Sequence, residues 1–268
     1  MINFLHQLFQ RFKADRCTHH AAALSFNSLL AIAPLLAIAF SLISFFTPLE
    51  QMGAQLEDFI YQYLVPDAGL NIRDYLNTFI QQARKLTSIG LFAFLLTAIL
   101  LLYNIEESLN IILKAKMKRK LARRFSIYCT LLTLGPILMG AGLTLSTYAL
   151  SLNVLDKMDQ VLSIKLFLLK VLPVFFGFIA FSMLYIIMPN RDIKWRHAFI
   201  GGLVAAILFE ITKRLFALFI LNFNNYEVVY GTLATLPIFL VWIYLSWLVT
   251  LIGAEIICLL EDCTGETM

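Results

Sequence analysis

From Ala22 to Phe46 the chain carries no charged side chain. A helix crossing the hydrocarbon core of a bilayer needs about 20 consecutive, mainly apolar residues. In that core only helices and closed barrels satisfy every backbone polar group. The run therefore predicts a membrane-spanning helix. Further apolar stretches give an expected set of six spans at 22–46, 89–110, 126–152, 166–188, 198–222 and 233–258. Composition agrees: 60% of the 268 residues are hydrophobic and 14% are charged, against about 45–50% and about 25% in soluble domains. A chain of this size cannot hide so much apolar surface in a soluble core. A soluble enzyme, a disordered chain and a disulfide scaffold are thereby excluded. The expected fold is all-α, a single polytopic membrane domain over 1–268.

The segments between the spans carry their own patterns. In residues 1–20, Leu5, Leu8, Phe9 and Phe12 share one helical face, with Arg11, Lys13 and Arg16 elsewhere. This suits a cytoplasmic helix lying in the membrane interface; it equally suits a short helix packed on the protein itself. No cleavable signal is expected there. Within 47–88, two apolar series at helical spacing flank the turn Pro66-Asp67-Ala68-Gly69. They predict an amphipathic, extracytoplasmic helical hairpin between spans 1 and 2. Thirteen Lys and Arg fall in the N-terminal segment, the 114–124 loop and the 190–197 linker; five fall in the loops of the opposite side. The bias of Lys and Arg towards the cytoplasm then puts both termini, including the 259–268 tail, and the basic loop in the cytoplasm.

Ionisable groups are costly inside a membrane and mark candidate sites. The fifth span contains Glu210 with Lys213 and Arg214 at i+3 and i+4, within reach of it. Gly202, Ala206 and Ala217 share its stripe, and small residues let a neighbouring helix approach. The group is either a substrate pathway or a clamp that only holds helices together. Lys213 and Arg214 could also snorkel to the outer interface. At the end of the second span, Asn104, Glu106, Glu107 and Asn110 line a cytoplasm-facing cavity if the helix continues, with Glu106 and Glu107 as partners for the cations. If the span stops at Tyr103, they are interfacial. Tyr244 and Glu255 share a face of the sixth span. Pro34, Pro136, Pro173 and Pro237 are candidate helix kinks.

Other chemistry finds little support. The four cysteines, Cys17, Cys129, Cys258 and Cys263, form no C-x-x-C pair and are expected to be reduced. His19-His20 lacks the acidic ligands of a metal site, so neither a metal nor another cofactor is expected. The basic loop 114–124 has no aromatic residue between Lys114 and Arg124. Nucleic-acid modules interleave aromatics with cations, so anionic lipid, and not nucleic acid, is its expected partner.

In the last third, Pro189-Asn190-Arg191, Gly201-Gly202, Leu208-Phe209-Glu210, Lys213 and Phe216-Ala217 lead into Tyr230-Gly231-Thr232-Leu233-Ala234. Pro237-Ile238-Phe239-Leu240, Trp242-Ile243-Tyr244 and Gly253-Ala254-Glu255 follow. Upstream are Ala21-Ala22-Ala23-Leu24-Ser25-Phe26, Ala33-Pro34-Leu35 and Leu134-Gly135-Pro136. In this order, over about 20–260, the chain resembles the YihY/BrkB family of bacterial inner-membrane proteins (UPF0761-like). It departs at Phe26, where the family usually has an aromatic hydroxyl, and at Ile111-Ile112, where an aromatic is common. The resemblance implies a six-helix inner-membrane protein of poorly defined role. Family members have carried a ribonuclease BN label, and some relatives are linked to serum resistance or to lipid and envelope transport. The residues oppose the nuclease label, because the short cytoplasmic loops hold almost no carboxylate.

The expected function is transport or export of an anionic lipid or envelope-related solute, not enzymatic catalysis. There is no G-x-x-x-x-G-K-[ST] loop, so the energy would come from a gradient or a partner ATPase. The alternative is a non-transporting scaffold for envelope assembly. A second copy of the chain or an envelope protein is the expected macromolecular partner.

Overall fold

A computed structural model of the chain describes residues 2–43, 88–115, 120, 122–133, 161–221 and 235–261. Among these residues there are seven helical segments and no strand: α1 (Ile2–Ala14), α2 (Cys17–Ile43), α3 (Ser88–Ile112), α4 (122–133), α5 (Val161–Ile187), α6 (Trp195–Leu221) and α7 (Thr235–Leu260). The expected 47–88 hairpin, most of the expected third span and Pro136 lie outside the described residues. Among the described residues, two segments, Phe92–Ile112 and Leu236–Leu260, are long and apolar enough to cross a membrane, and Val174–Ile187 is a shorter apolar stretch. Helix α3 continues past Tyr103 to Ile112, so the Asn104–Asn110 stretch is helical. Helix α2 continues across Pro34. Pro173 lies inside α5, and Pro237 is the third residue of α7, where a missing N–H leaves no helical bond unmade.

Helix boundaries follow from local chemistry. Lys114 has φ 54°, and the bonds Ala115 N–H to Asn110 O (2.9 Å) and Lys114 N–H to Ile111 O (3.2 Å) close α3. This is a Schellman end with lysine in the left-handed position that glycine usually takes. Arg16, at φ 49°, turns the corner between α1 and α2.

The chain divides into two compact units: Met1–Leu29, Leu101–Lys120 and Leu166–Met268 form the first, and Leu30–Leu100 with Leu121–Lys165 the second. In the first unit, α5, α6 and α7 pack through small residues. A Cβ on Gly202 would strike Ser182, one on Gly201 would strike Ile257, and one on Gly253 would strike the Tyr185 hydroxyl. Tyr185, fully buried, donates its O–H to the carbonyl of Thr250 at 2.7 Å. Rings fill the spaces beside these close approaches. Phe209 lies 5.8 Å from Phe181 and 5.5 Å from Trp242, and Phe216 lies 5.0 Å from Trp242, centroid to centroid. In the second unit, Ala31, Ala98, Tyr128 and Leu132 are buried. There Thr97, Thr130 and Thr133 return their hydroxyls to the carbonyl one turn back, which satisfies a polar group on an apolar helix.

Candidate functional site

Among the described residues, a dense polar cluster lies in the first unit, where α1, the start of α2 and the end of α7 meet. Glu255 is fully buried on α7. Arg11 of α1 reaches it, Nε to Oε2, at 3.3 Å. Cys17, at the first position of α2 and itself fully buried, donates its S–H to Glu255 Oε1 at 3.3 Å. Arg11 also donates through Nη2 to the sulfur of Cys258 at 2.8 Å. A buried carboxylate requires a cation and hydrogen-bond donors, since desolvation otherwise outweighs its attractions; Arg11 and Cys17 supply these.

Cys258 is disulfide-bonded, while Cys17 and Cys129 are free. The expectation of four reduced thiols therefore fails at Cys258. Bridging depends on how closely the Cα atoms approach, which sequence spacing does not reveal.

Around this centre, Lys114 binds Asp15 at 2.9 Å and His20 shares a 3.3 Å hydrogen bond with Ser108. Glu106 is fully buried and Glu107 is exposed; Asn104 and Asn110 are half-buried. The Asn110 side chain ties two segments together, its Oδ1 accepting the backbone N–H of Asn190 at 2.6 Å. Beside it, Arg191 Nη1 donates to the Leu113 carbonyl at 2.7 Å. A cation on the unsatisfied carbonyls of a helix C-terminus is favourable both as a hydrogen bond and against the helix dipole. Pro189-Asn190-Arg191 thus clamps the end of α3.

A second interhelical tie joins α6 to the residue after α7. Glu261 Oε1 accepts the Lys194 N–H at 3.0 Å and contacts His197 Nδ1 at 2.6 Å. Burial disfavours its charge, but the His197 contact, the Lys194 N–H and the nearby positive charges together outweigh burial. They hold the carboxyl below its ordinary value.

The charged triplet of α6 closes on itself. Lys213 Nζ lies 2.6 Å from Glu210 Oε2, and Arg214 Nε lies 3.3 Å from Glu210 Oε1. Glu210 and Lys213 are mostly covered, whereas the Arg214 side chain is 67% exposed. Tyr244 is half-buried on α7. Among the described residues, no group of three or more His, Cys, Asp or Glu is placed to hold a metal ion.

The model of the family described as "Virulence factor BrkB" matches residues 8–267. The chain belongs to the BrkB family. Relatives named "UPF0761 membrane protein" include one from Azotobacter vinelandii, 40% identical over 96% of this chain and 63% of its own length. Another, from Aeromonas salmonicida, is 38% identical over 98% of the chain and 89% of its own length. A third, from Pseudomonas paraeruginosa, is 39% identical over 97% and 63%. The chain thus spans slightly under two thirds of the Azotobacter and Pseudomonas relatives. These names describe membrane proteins and carry no enzymatic activity. No solved structure matches the chain.

Several residues behind the BrkB resemblance have a structural account here. Gly202 and Gly253 let α5, α6 and α7 approach, the Asn190-Arg191 pair caps α3, and Glu255 anchors α1. Sequence reasoning singles out Glu255 but misses Arg11, Cys17, Asp15, Lys114 and the Glu261–His197 tie. Arg11 is visible in the sequence only as one cation on the polar side of an amphipathic helix, and nothing local distinguishes a buried arginine there from a solvated one.

Proposed function

We propose that this BrkB-family chain is a six-span bacterial inner-membrane protein that transports an anionic lipid or envelope-related solute. Both termini and the basic loop 114–124 would face the cytoplasm, the loop against anionic lipid, with 47–88 outside. Support for the spans comes from the apolar segments Phe92–Ile112 and Leu236–Leu260 and from the 27-residue lengths of α2, α5 and α6, about 40 Å each. Support for the orientation comes from the distribution of Lys and Arg.

The observation that carries the transport reading is Arg214. It lies about 28 Å along α6 from Trp195, at 1.5 Å per residue, on a helix otherwise lined by exposed Ile207, Ile211, Leu215 and Leu218. Only one of its five N–H donors has a described partner, Glu210. An exposed guanidinium in that setting suits a passing phosphate or carboxylate. Lys213 would add charge, and Glu210 would hold both cations in place when the pathway is empty.

A scaffold without transport is the second reading. It is favoured by the self-contained pairing of Glu210, whose two oxygens each meet a cation of the same helix. Sealed proteoliposomes separate the two. Movement of head-group-labelled anionic lipid between leaflets would be compared for the wild type, Glu210→Gln and Arg214→Leu, each checked by thermal melting in detergent. Transport in the wild type with loss in well-folded variants is expected. No movement by any of them, with early melting of both variants, leaves the scaffold.

A further inference from the structure

We propose that the corner between α1 and α2 is a binding site for the phosphate-bearing headgroup of an anionic phospholipid. A cleft of about 450 Å³ opens there, lined by Phe9, Phe12, Lys13, Arg16, Thr18 and His19. Small-ligand sites commonly enclose about 300–1,000 Å³. Its charge is unbalanced. Among the described residues, Lys13 and Arg16 have no acidic partner, while the carboxylates of the adjoining cluster are already matched, Asp15 by Lys114 and Glu255 by Arg11. Two cations and the Thr18 hydroxyl are thus left to receive an anion, and guanidinium and ammonium groups are the usual partners of phosphate.

The same corner selects lipid over a soluble phosphate ester. Phe9 is 68% exposed, Leu5, one turn earlier, is 58% exposed, and Phe4 is exposed beside them. Arg11, by contrast, is turned inward to Glu255. Helix α1 therefore hides a charge and presents rings, the reverse of a helix that faces water and the arrangement of one seated at the boundary of headgroups and acyl chains. An inner-leaflet phospholipid satisfies both halves, phosphate on Lys13 and Arg16 and acyl carbons on Phe9 and Leu5. The basic loop 114–124 differs in offering cations without aromatics. The site holds whether or not the chain moves lipid between leaflets.

The test uses the full chain in uncharged detergent micelles and the fluorescence anisotropy of short-chain phosphatidylglycerol labelled on its acyl tail. Saturable binding is expected, about tenfold or more tighter than that of phosphatidylcholine with the same chains. Lys13→Gln with Arg16→Gly should weaken it about tenfold at an unchanged Tm, since glycine accepts the φ of 49° at Arg16. Arg84→Gln with Lys85→Gln, in the 47–88 segment proposed to lie on the other side of the membrane, should leave it unchanged. Millimolar glycerol 3-phosphate should not displace the lipid. Equal binding of the two lipids, wild-type affinity in the corner variant, or loss in the Arg84, Lys85 variant overturns the proposal. Displacement by glycerol 3-phosphate overturns the choice of lipid in favour of a soluble phosphate ester. Should the double variant melt early, Lys13→Gln alone decides: about threefold weaker binding supports the site, and wild-type affinity overturns it.

Discussion

Glu255 governs the residue scale. A buried ion pair is costly to break from one side, roughly 3–5 kcal/mol, because the surviving charge stays buried; replacing both partners by apolar groups is often nearly neutral. Glu255→Ala should therefore lower the melting temperature in detergent sharply, and Arg11→Met with Glu255→Leu should recover most of the loss. A double variant that melts as early as the single one would show that the pair does more than neutralise charge. The sequence points to Glu255 as an ionisable residue near the end of an apolar run, but its burial could not be read there. Cys17 stands 238 positions away, and Arg11, on another helix, has the same local signature as a solvated arginine. The Glu210 triplet was legible because its members stand one turn apart, and i+3 and i+4 neighbours meet on any helix.

Among the elements, close packing and capping decide which helices stay together. Gly202 faces Ser182 so closely that an added Cβ would meet the Ser182 backbone nitrogen at 2.9 Å, and backbone cannot swing aside as a side chain can. Gly202→Ala should cost about 1–3 kcal/mol, read as a lower Tm with α5–α6 amide exchange accelerated first. Gly202 was legible as part of a small-residue stripe; which helix it admits was not, because a stripe does not name its partner. The tie from Glu261 to α6 gives a pH dependence. Its carboxyl is held below the ordinary value when folded, so its contribution is fully present above the unfolded carboxylate range and is lost as pH falls through the folded value. Tm should fall more steeply between about pH 5 and pH 3 in the wild type than in Glu261→Gln. Parallel curves would refute the assignment.

At the level of the whole molecule, the apolar runs at Phe92–Ile112 and Leu236–Leu260 were legible because a bilayer demands length and apolarity at once. Helix α3 illustrates the limit: hydropathy alone left its end open at Tyr103, and the Schellman bonds at Asn110 and Ile111 place it. The proposed topology predicts that a single cysteine at position 117, in an otherwise cysteine-free chain, is protected from a membrane-impermeant maleimide in intact spheroplasts. One at position 68 should be labelled. The reverse pattern would invert the protein. The Cys17–Glu255 bond also sets a schedule for biosynthesis. At roughly 5–20 residues per second, the 238 positions between them occupy a ribosome for about 12–48 s. Until that interval ends, Arg11 has no buried acid to meet, and α1 stays unfastened while the chain between is made. Helix α1 is thus fastened late, and a nascent chain released before Glu255 emerges should keep α1 open to proteases.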